Sequence, residues 1–387
     1  MGQTLGANEA PLQTVQQINQ SPDMISQKFA SADARILDGH MNGSVASVPP
    51  ANDVKPPRLS KLPISGGEGH GELVLPPHDE IMPLVESFFR YFHTLTPILH
   101  EPTVRAQIMG ALPLPTDRGS RVLFYMIFAT GAFDSALEGD IDNSGEQYYE
   151  KARAALQEDL LLGGSLTLVQ GLTIMAIWLQ RISRPNAGYV CLGLAIRMAI
   201  TLGIHVSTPN NKNGGLTVLE SEMRHRTYWG LVALETGHCM TYGRPHGFNL
   251  HSLSTARLPI NTDDGLLTVS TSVAPTDVDR VTLYTALINQ AWLSEMASHS
   301  LDRLSRSLPS PTAEQIKWCG DQFREQLAAL PSYMQPGAPG PYKFARAVQT
   351  WRARDYQSIL YRPVLLSAAW NTSGLASSDE NVKQVIE

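Results

Sequence analysis

An all-α array of packed helix pairs is the fold this sequence predicts, and three observations predict it. After residue 77, apolar residues recur at three- and four-residue intervals in segment after segment. Short clusters of Gly, Pro, Ser and Asn join those segments, as they do between paired helices. Nowhere does an alternating apolar run stand between hairpin signals.

Composition narrows the function classes. The 387 residues are 43% hydrophobic and 17% charged, enough apolar material for one large core or two smaller ones. A net charge of -6 excludes nucleic-acid binding through overall charge, because phosphate contact depends on clustered Lys and Arg. Cys191, Cys239 and Cys319 are odd in number and far apart, so they offer neither a disulfide framework nor zinc-ligand spacing. Buried thiols in a reducing compartment are expected. No apolar run reaches the roughly 18 residues that span a bilayer, and the start lacks a basic-then-apolar signal, so no membrane partner is expected.

Residues 1–77 read as a disordered or linker segment. They are rich in Gln, Asn, Ser, Pro and Gly, with breakers at Val48-Pro-Pro50, Lys55-Pro-Pro57 and Gly66 to Gly71. Such a stretch buries too little apolar area to offset its ordering entropy. The ordered domain is 78–387. It opens with a helix whose face carries Ile81, Leu84, Val85, Phe88, Phe89 and Phe92, stopped by Pro97. Glu101-Pro-Thr103 starts the next helix. His93 and His100 are read as polar residues bonded at that junction. A zinc-protease pair starting from His100 would need a second His where Val104 stands.

A core helix spans Arg121 to Leu137. The Asp140 to Glu146 stretch imitates a calcium loop, but the closing carboxylate position holds Lys151, so it is read as a loop and helix cap. Helical periodicity runs from Gly145 to Leu160, and Ser165 caps a helix from Leu166 to Arg181. After the Ser183-Arg-Pro-Asn186 turn come two helices, Gly188 to His205 and Leu219 to Met240, separated by the breaker loop Pro209 to Gly215. The second carries Glu220, Glu222, Arg224 and Arg226 at pairing distance and Trp229 on its buried side, and ends in the turn Gly243-Arg244-Pro245. Trp178 and Trp229 read as core. Helices are also expected over Asp279 to Leu308, Thr312 to Leu330 and Lys343 to Trp370, the last interrupted at Tyr361-Arg362-Pro363. A further helix opens at Ser377 and stops with the chain at Glu387, which reads as a domain incomplete at its C-terminus.

The order of these motifs resembles the fungal-specific transcription factor domain, the regulatory middle region of zinc-binuclear-cluster regulators such as the xylanolytic activators. The resemblance rests on Tyr91 to Thr103 with Pro97 and His100, on Ala195 to Ala199 through Leu202-Gly203-Ile-His205, and on Glu222-Met-Arg224-His-Arg226-Thr-Tyr-Trp229. The Gly243-Arg244-Pro245 turn and Leu360-Tyr-Arg362-Pro363 complete it. The departures are Glu235 where the family has Asp and Val104 where it has an aromatic residue.

The resemblance implies a nuclear domain, controlling RNA polymerase II genes, that holds a regulator silent until a small molecule or partner shifts its state. It implies no cofactor in these residues. Zinc belongs to the family's six-cysteine DNA-binding element, which is absent here through a partial gene model or a loss. DNA is therefore expected as a partner only through that cluster, with a small-molecule effector and a homodimer as the other partners. The effector pocket is expected between the Tyr189 to Ile204 helix, the Trp229 helix and the Tyr361-Arg362-Pro363 segment. Arg244 and Arg362 are expected to bond helix-end carbonyls. The alternatives are a ligand-free dimerisation scaffold and a helical enzyme. Eleven histidines are the enzyme's best support, yet none lies in a nucleophile elbow, phosphate loop or paired-histidine helix.

Overall fold

Helices form most of the computed structural model, which describes residues 73–137, 144–157, 164–207, 216–246, 254–305, 311–335 and 338–372. The linker read over 1–77 lies outside these residues up to 72, as do the start of the calcium-loop imitation, the Pro209 to Gly215 breaker loop and the helix opening at Ser377. Among the described residues there are ten α-helices and no strand.

The first helix, α1 (His78–Ser87), passes into a π-helical stretch (Phe88–Phe92) and a last turn (His93–Leu95). The wider turn packs Phe88, Phe89 and Phe92 inward together with His93, whose Nε2 faces the N–H (3.2 Å) and carbonyl (3.1 Å) of Leu99. Next come α2 (Glu101–Ile108), with Pro102 in its first turn, and α3 (Arg118–Leu137). α3 pairs with α4 (Ser144–Gln157), and α5 (Leu166–Arg181) pairs with α6 (Pro185–Thr201). Two glycines mark where backbones meet. A Cβ on Gly131 of α3 would lie 2.0 Å from the Leu84 carbonyl oxygen, and one on Gly188 of α6 would lie 2.8 Å from that of Ala176.

The longest of the early helices, α7 (Val218–Tyr242), is bounded by local chemistry. Thr217 and Glu220 form a reciprocal capping box, and Gly243 ends the helix at φ +63°. Its N-terminal turns (Val218, Leu219, Met223) join a small cluster with Leu267, and its middle (Tyr228, Trp229, Leu231, Val232) enters the large core built by α1 to α6. Met240 at its far end joins a second core with α8 (Thr285–Ser305), α9 (Ala313–Ala329) and α10 (Lys343–Thr372). One helix thus ties all three clusters.

α3 starts at Arg118 rather than Arg121, and α6 spans Pro185–Thr201 rather than Gly188 to His205. Two further differences have a clear cause. The helix expected from Asp279 starts at Thr285, because Asn261 holds the preceding strip of chain. The Asn261 amide donates to the carbonyls of Val278 (2.6 Å) and Arg280 (2.9 Å) and accepts from the Thr282 (2.7 Å) and Thr285 (3.0 Å) hydroxyls. The interruption expected at Tyr361-Arg362-Pro363 is absent, and α10 runs unbroken through it. The preceding turns pack through Ala353, Tyr356 and Leu360 into the second core, which offsets the lost ladder bond and the ring clash that a proline costs inside a helix.

Candidate functional site

Two features of α7 compete for attention: a buried charge cluster at its start and a cavity along its second half. Arg226 is fully buried. Its Nε donates to Glu222 Oε1 (2.9 Å), its Nη1 to Asp264 Oδ1 (2.8 Å), and its guanidinium carbon lies 3.5 Å from the centre of the Tyr284 ring. Tyr284 donates to the same Asp264 oxygen (2.6 Å), and the N–H of Ile260 donates to Glu222 Oε1 (3.0 Å). His100 Nε2 stands 3.3 Å from the Asp264 carbonyl oxygen, and its Nδ1 pairs with the Thr103 hydroxyl (2.7 Å). Burial would raise the Asp264 carboxyl, but the charge of Arg226 and the bonds from Tyr284 and Arg226 hold it below the usual range. Burial of Glu222 outweighs the pull of Arg226, and its carboxyl is raised. This cluster clamps the 260–264 loop and α8 to α7, and the cavities at α7 and α10 do not touch it.

The cavity, of about 550 Å³, lies between the end of the π-helical stretch, α3, α5, α7, α8 and α10. Gly230, Ala233, Gly237 and Thr241 recede along one face of α7 and leave the space open. Tyr91, Phe92, Leu95, Ile177, Leu287 and Phe344 form much of its apolar wall. Its polar atoms are unusual in lacking partners. Both ring nitrogens of His238 are buried and unbonded, as are Gln180 Nε2 and Asp134 Oδ2, the other Asp134 oxygen being held by Arg181. Burial and the nearby Arg244 pull His238 down to about 4, so its ring is neutral near pH 7, with one donor and one acceptor. Arg352 lines the same space with no hydrogen bond or ion pair among the described residues, and burial lowers its pKa. Of the three walls expected for the effector pocket, α7 alone lines this cavity among the described residues; no residue of α6 and neither Tyr361 nor Arg362 does, and the π-helical stretch, α3, α5, α8 and other residues of α10 supply the remaining walls. Of the motif residues, Tyr91 lines the cavity.

Residues 85–307 match the family model of the fungal-specific transcription factor domain, more than half of the chain. The chain belongs to this family. Similar proteins include an ABC-transporter-regulating transcription factor of Aspergillus fumigatus, 27% identical over 44% of this chain and 19% of its own length. The lactose regulatory protein of Kluyveromyces lactis is 20% identical over 67% of this chain and 27% of its own. Pyrimidine pathway regulatory protein 1 of Saccharomyces cerevisiae is 29% identical over 67% of this chain and 25% of its own. The chain thus spans about a quarter or less of these relatives' length. No solved structure matches it. The chain is a fungal transcriptional regulatory domain, and its family and relatives are transcription regulators. No helix among the described residues is long and apolar enough to cross a membrane.

In this regulatory domain the remaining motif residues make contacts of several kinds. Arg224 donates to the Leu202 carbonyl at the end of α6, beside Gly203 at φ +66°. Glu220, expected to pair with Arg224, is instead taken by the capping box. The Trp229 indole N–H donates to the Arg257 carbonyl (2.8 Å). Arg244, expected on a helix-end carbonyl, binds the Asn186 side chain and lies over the rings of Tyr189 (4.4 Å) and Tyr242 (5.0 Å). Tyr189 in turn donates to the Pro245 carbonyl (3.4 Å). Arg362, also expected on a helix-end carbonyl, is exposed in the interior of α10, which ends only at Thr372. Pro97 follows the last turn of the first helical stretch, as expected.

One grouping was invisible in the sequence. Glu235 and Cys239 lie one turn apart on α7, and the Gly243 turn returns His246 to them, so that their ligand atoms all lie within 4.8 Å of one another. These three could present oxygen, sulfur and nitrogen to a cation. Burial, aided by Glu235, pushes the Cys239 thiol up to about 12, so a metal would first have to displace its proton.

Proposed function

We propose that this domain sets the activity of a nuclear transcription regulator by binding a small molecule in the α7 cavity. In this reading the effector's preference for one helix arrangement shifts the domain between silent and active states, since only differential affinity can move such an equilibrium. DNA is reached through a zinc cluster of the family's kind, outside these residues, and RNA polymerase II genes are the output. The supporting observation is the set of unpartnered polar atoms in the cavity, above all His238. A buried polar group without a partner costs about 1–3 kcal/mol, which a ligand supplying the partner recovers.

Thermal melting of the chain against a metabolite panel tests this. A compound that binds the folded state raises the midpoint, by about 2.7 kcal/mol of stability at a hundredfold excess over its Kd. A second reading, a scaffold acting through a homodimer, is supported by the exposure of Phe344 (60%) and Trp351 (64%) on α10. No shift with any compound, together with a stable dimer in sedimentation, would replace the effector reading with the scaffold.

A further inference from the structure

Resting on the effector reading, we propose that the cavity takes a monocarboxylic acid with a flat apolar body, its carboxylate on Arg352 and a hydroxyl or carbonyl group on His238 and Gln180.

Three observations carry this. Arg352 is a partly buried guanidinium lining the cavity with no counter-charge bonded to it among the described residues, whereas Arg105, Arg181 and Arg226 each have a carboxylate. Asp355, one turn further along α10, is exposed at the rim and forms no ion pair with it. Guanidinium stays protonated at any physiological pH, so the position selects an anion, and its fork matches a carboxylate in a two-bond geometry. The second observation limits the ligand to one negative charge. The other guanidinium in the cavity, Arg181, is spent on Asp134, a wall residue whose Oδ2 is buried without a partner and whose charge would repel a second anionic group. A phosphate dianion would meet one available cation and two carboxylates, Asp134 and Asp355.

The third observation sets the rest of the molecule. The wall contributed by Phe92, Leu95, Ile177, Leu234, Leu287 and Phe344 is apolar, and 550 Å³ lies within the range of sites for small organic ligands, about 300–1,000 Å³. Neutral His238 and the Gln180 amide offer both donors and an acceptor to a hydroxyl or carbonyl group.

Isothermal titration of the full chain with hydroxynaphthoate and with the matching amide, hydroxynaphthamide, tests the assignment. The acid is expected to bind at least tenfold more tightly than the amide. Arg352→Gln should weaken the acid about 10- to 100-fold, the range for a charged hydrogen-bonded contact, and leave the amide unchanged. Arg352→Lys should retain part of the preference, and Arg362→Gln, exposed on the same helix, should retain all of it. Equal affinity for acid and amide would overturn the carboxylate assignment while leaving the effector cavity standing, and so would a preference that survives Arg352→Gln. If neither probe binds, the proposed ligand class is wrong, and the metabolite panel separately decides the cavity. Should Arg352→Gln fail to fold, the acid-to-amide ratio in the unaltered chain and in Arg352→Lys decides the outcome.

Discussion

The guanidinium of Arg226 and the ring of Tyr284 stack 3.5 Å apart, and both groups bind the same oxygen of Asp264, at 2.8 and 2.6 Å. A cation, a phenol and a carboxylate from three separate segments thus close one buried knot. Removing its centre strands Glu222 and Asp264 without a counter-charge. Arg226→Ala is therefore expected to lower the unfolding free energy by about 3–5 kcal/mol. Urea denaturation measures this, and an unshifted midpoint would refute the clamp.

Gly230 and Gly237 sit on the same helix, where alanine improves helix propensity by about 1 kcal/mol at either position. A Cβ on Gly237 would lie 3.6 Å from the Tyr356 hydroxyl, an ordinary contact, whereas one on Gly230 would lie 2.5 Å from Cγ2 of Ile98, which is fully buried. Gly237→Ala should raise the melting midpoint. Gly230→Ala should lower stability by about 1–3 kcal/mol through overpacking.

Acid should destabilise the domain before its carboxylates titrate. Burial pulls His93, His225 and His238 each down to about 4, against about 6.5 for an unfolded histidine. The folded state thus holds them neutral. Stability is complete above about pH 6.5 and is lost as pH falls towards 4, by up to about 1.4 kcal/mol per pH unit for each histidine. Glu222, with its raised pKa, works in the opposite direction, while depressed Asp264 loses its contribution only at lower pH. Melting curves between pH 7 and 5 check the slope, which His93→Gln should reduce. A flat profile would contradict the assignment.

All three cysteines are buried and free, and burial pushes Cys191 and Cys239 up to about 12 and raises Cys319. Thiolate is the reactive form. A disulfide-exchange reagent should label none of them in the native chain and all three in denaturant. Rapid labelling of the native chain would refute the packing around them.

Of the helix ends, the Ser165 cap was expected from the sequence, whereas the two capping boxes were not, Glu220 being expected to pair with Arg224. Ser165 accepts from the Leu168 N–H, and the pairs Thr217 with Glu220 and Thr312 with Gln315 form capping boxes. Each of these is a bond between residues three apart, a spacing the sequence carries. Pro363 misled because its lost ladder bond and ring clash are local, while the second core acts on the whole helix. The glycines along α7 were a readable sign of space on that face, since Gly230, Ala233, Gly237 and Thr241 follow the helical period. What filled or faced that space was not readable, because Arg352 and Tyr91 reach it from opposite ends of the domain.

The sequence by itself determined the all-α class, the Ser165 cap, the buried thiols, the Glu222–Arg226 pair and, through ordered motifs, the family. All but the last are local, set by contacts within about one helical turn or by the apolar period. Tertiary structure alone decided that Asp264, 38 residues away, completes the Arg226 clamp and that His246 turns back towards Cys239. It alone brought six chain segments around one cavity. Such partners are chosen by how helices pack, and packing depends on the shape of every side chain in the core together rather than on any spacing along the chain.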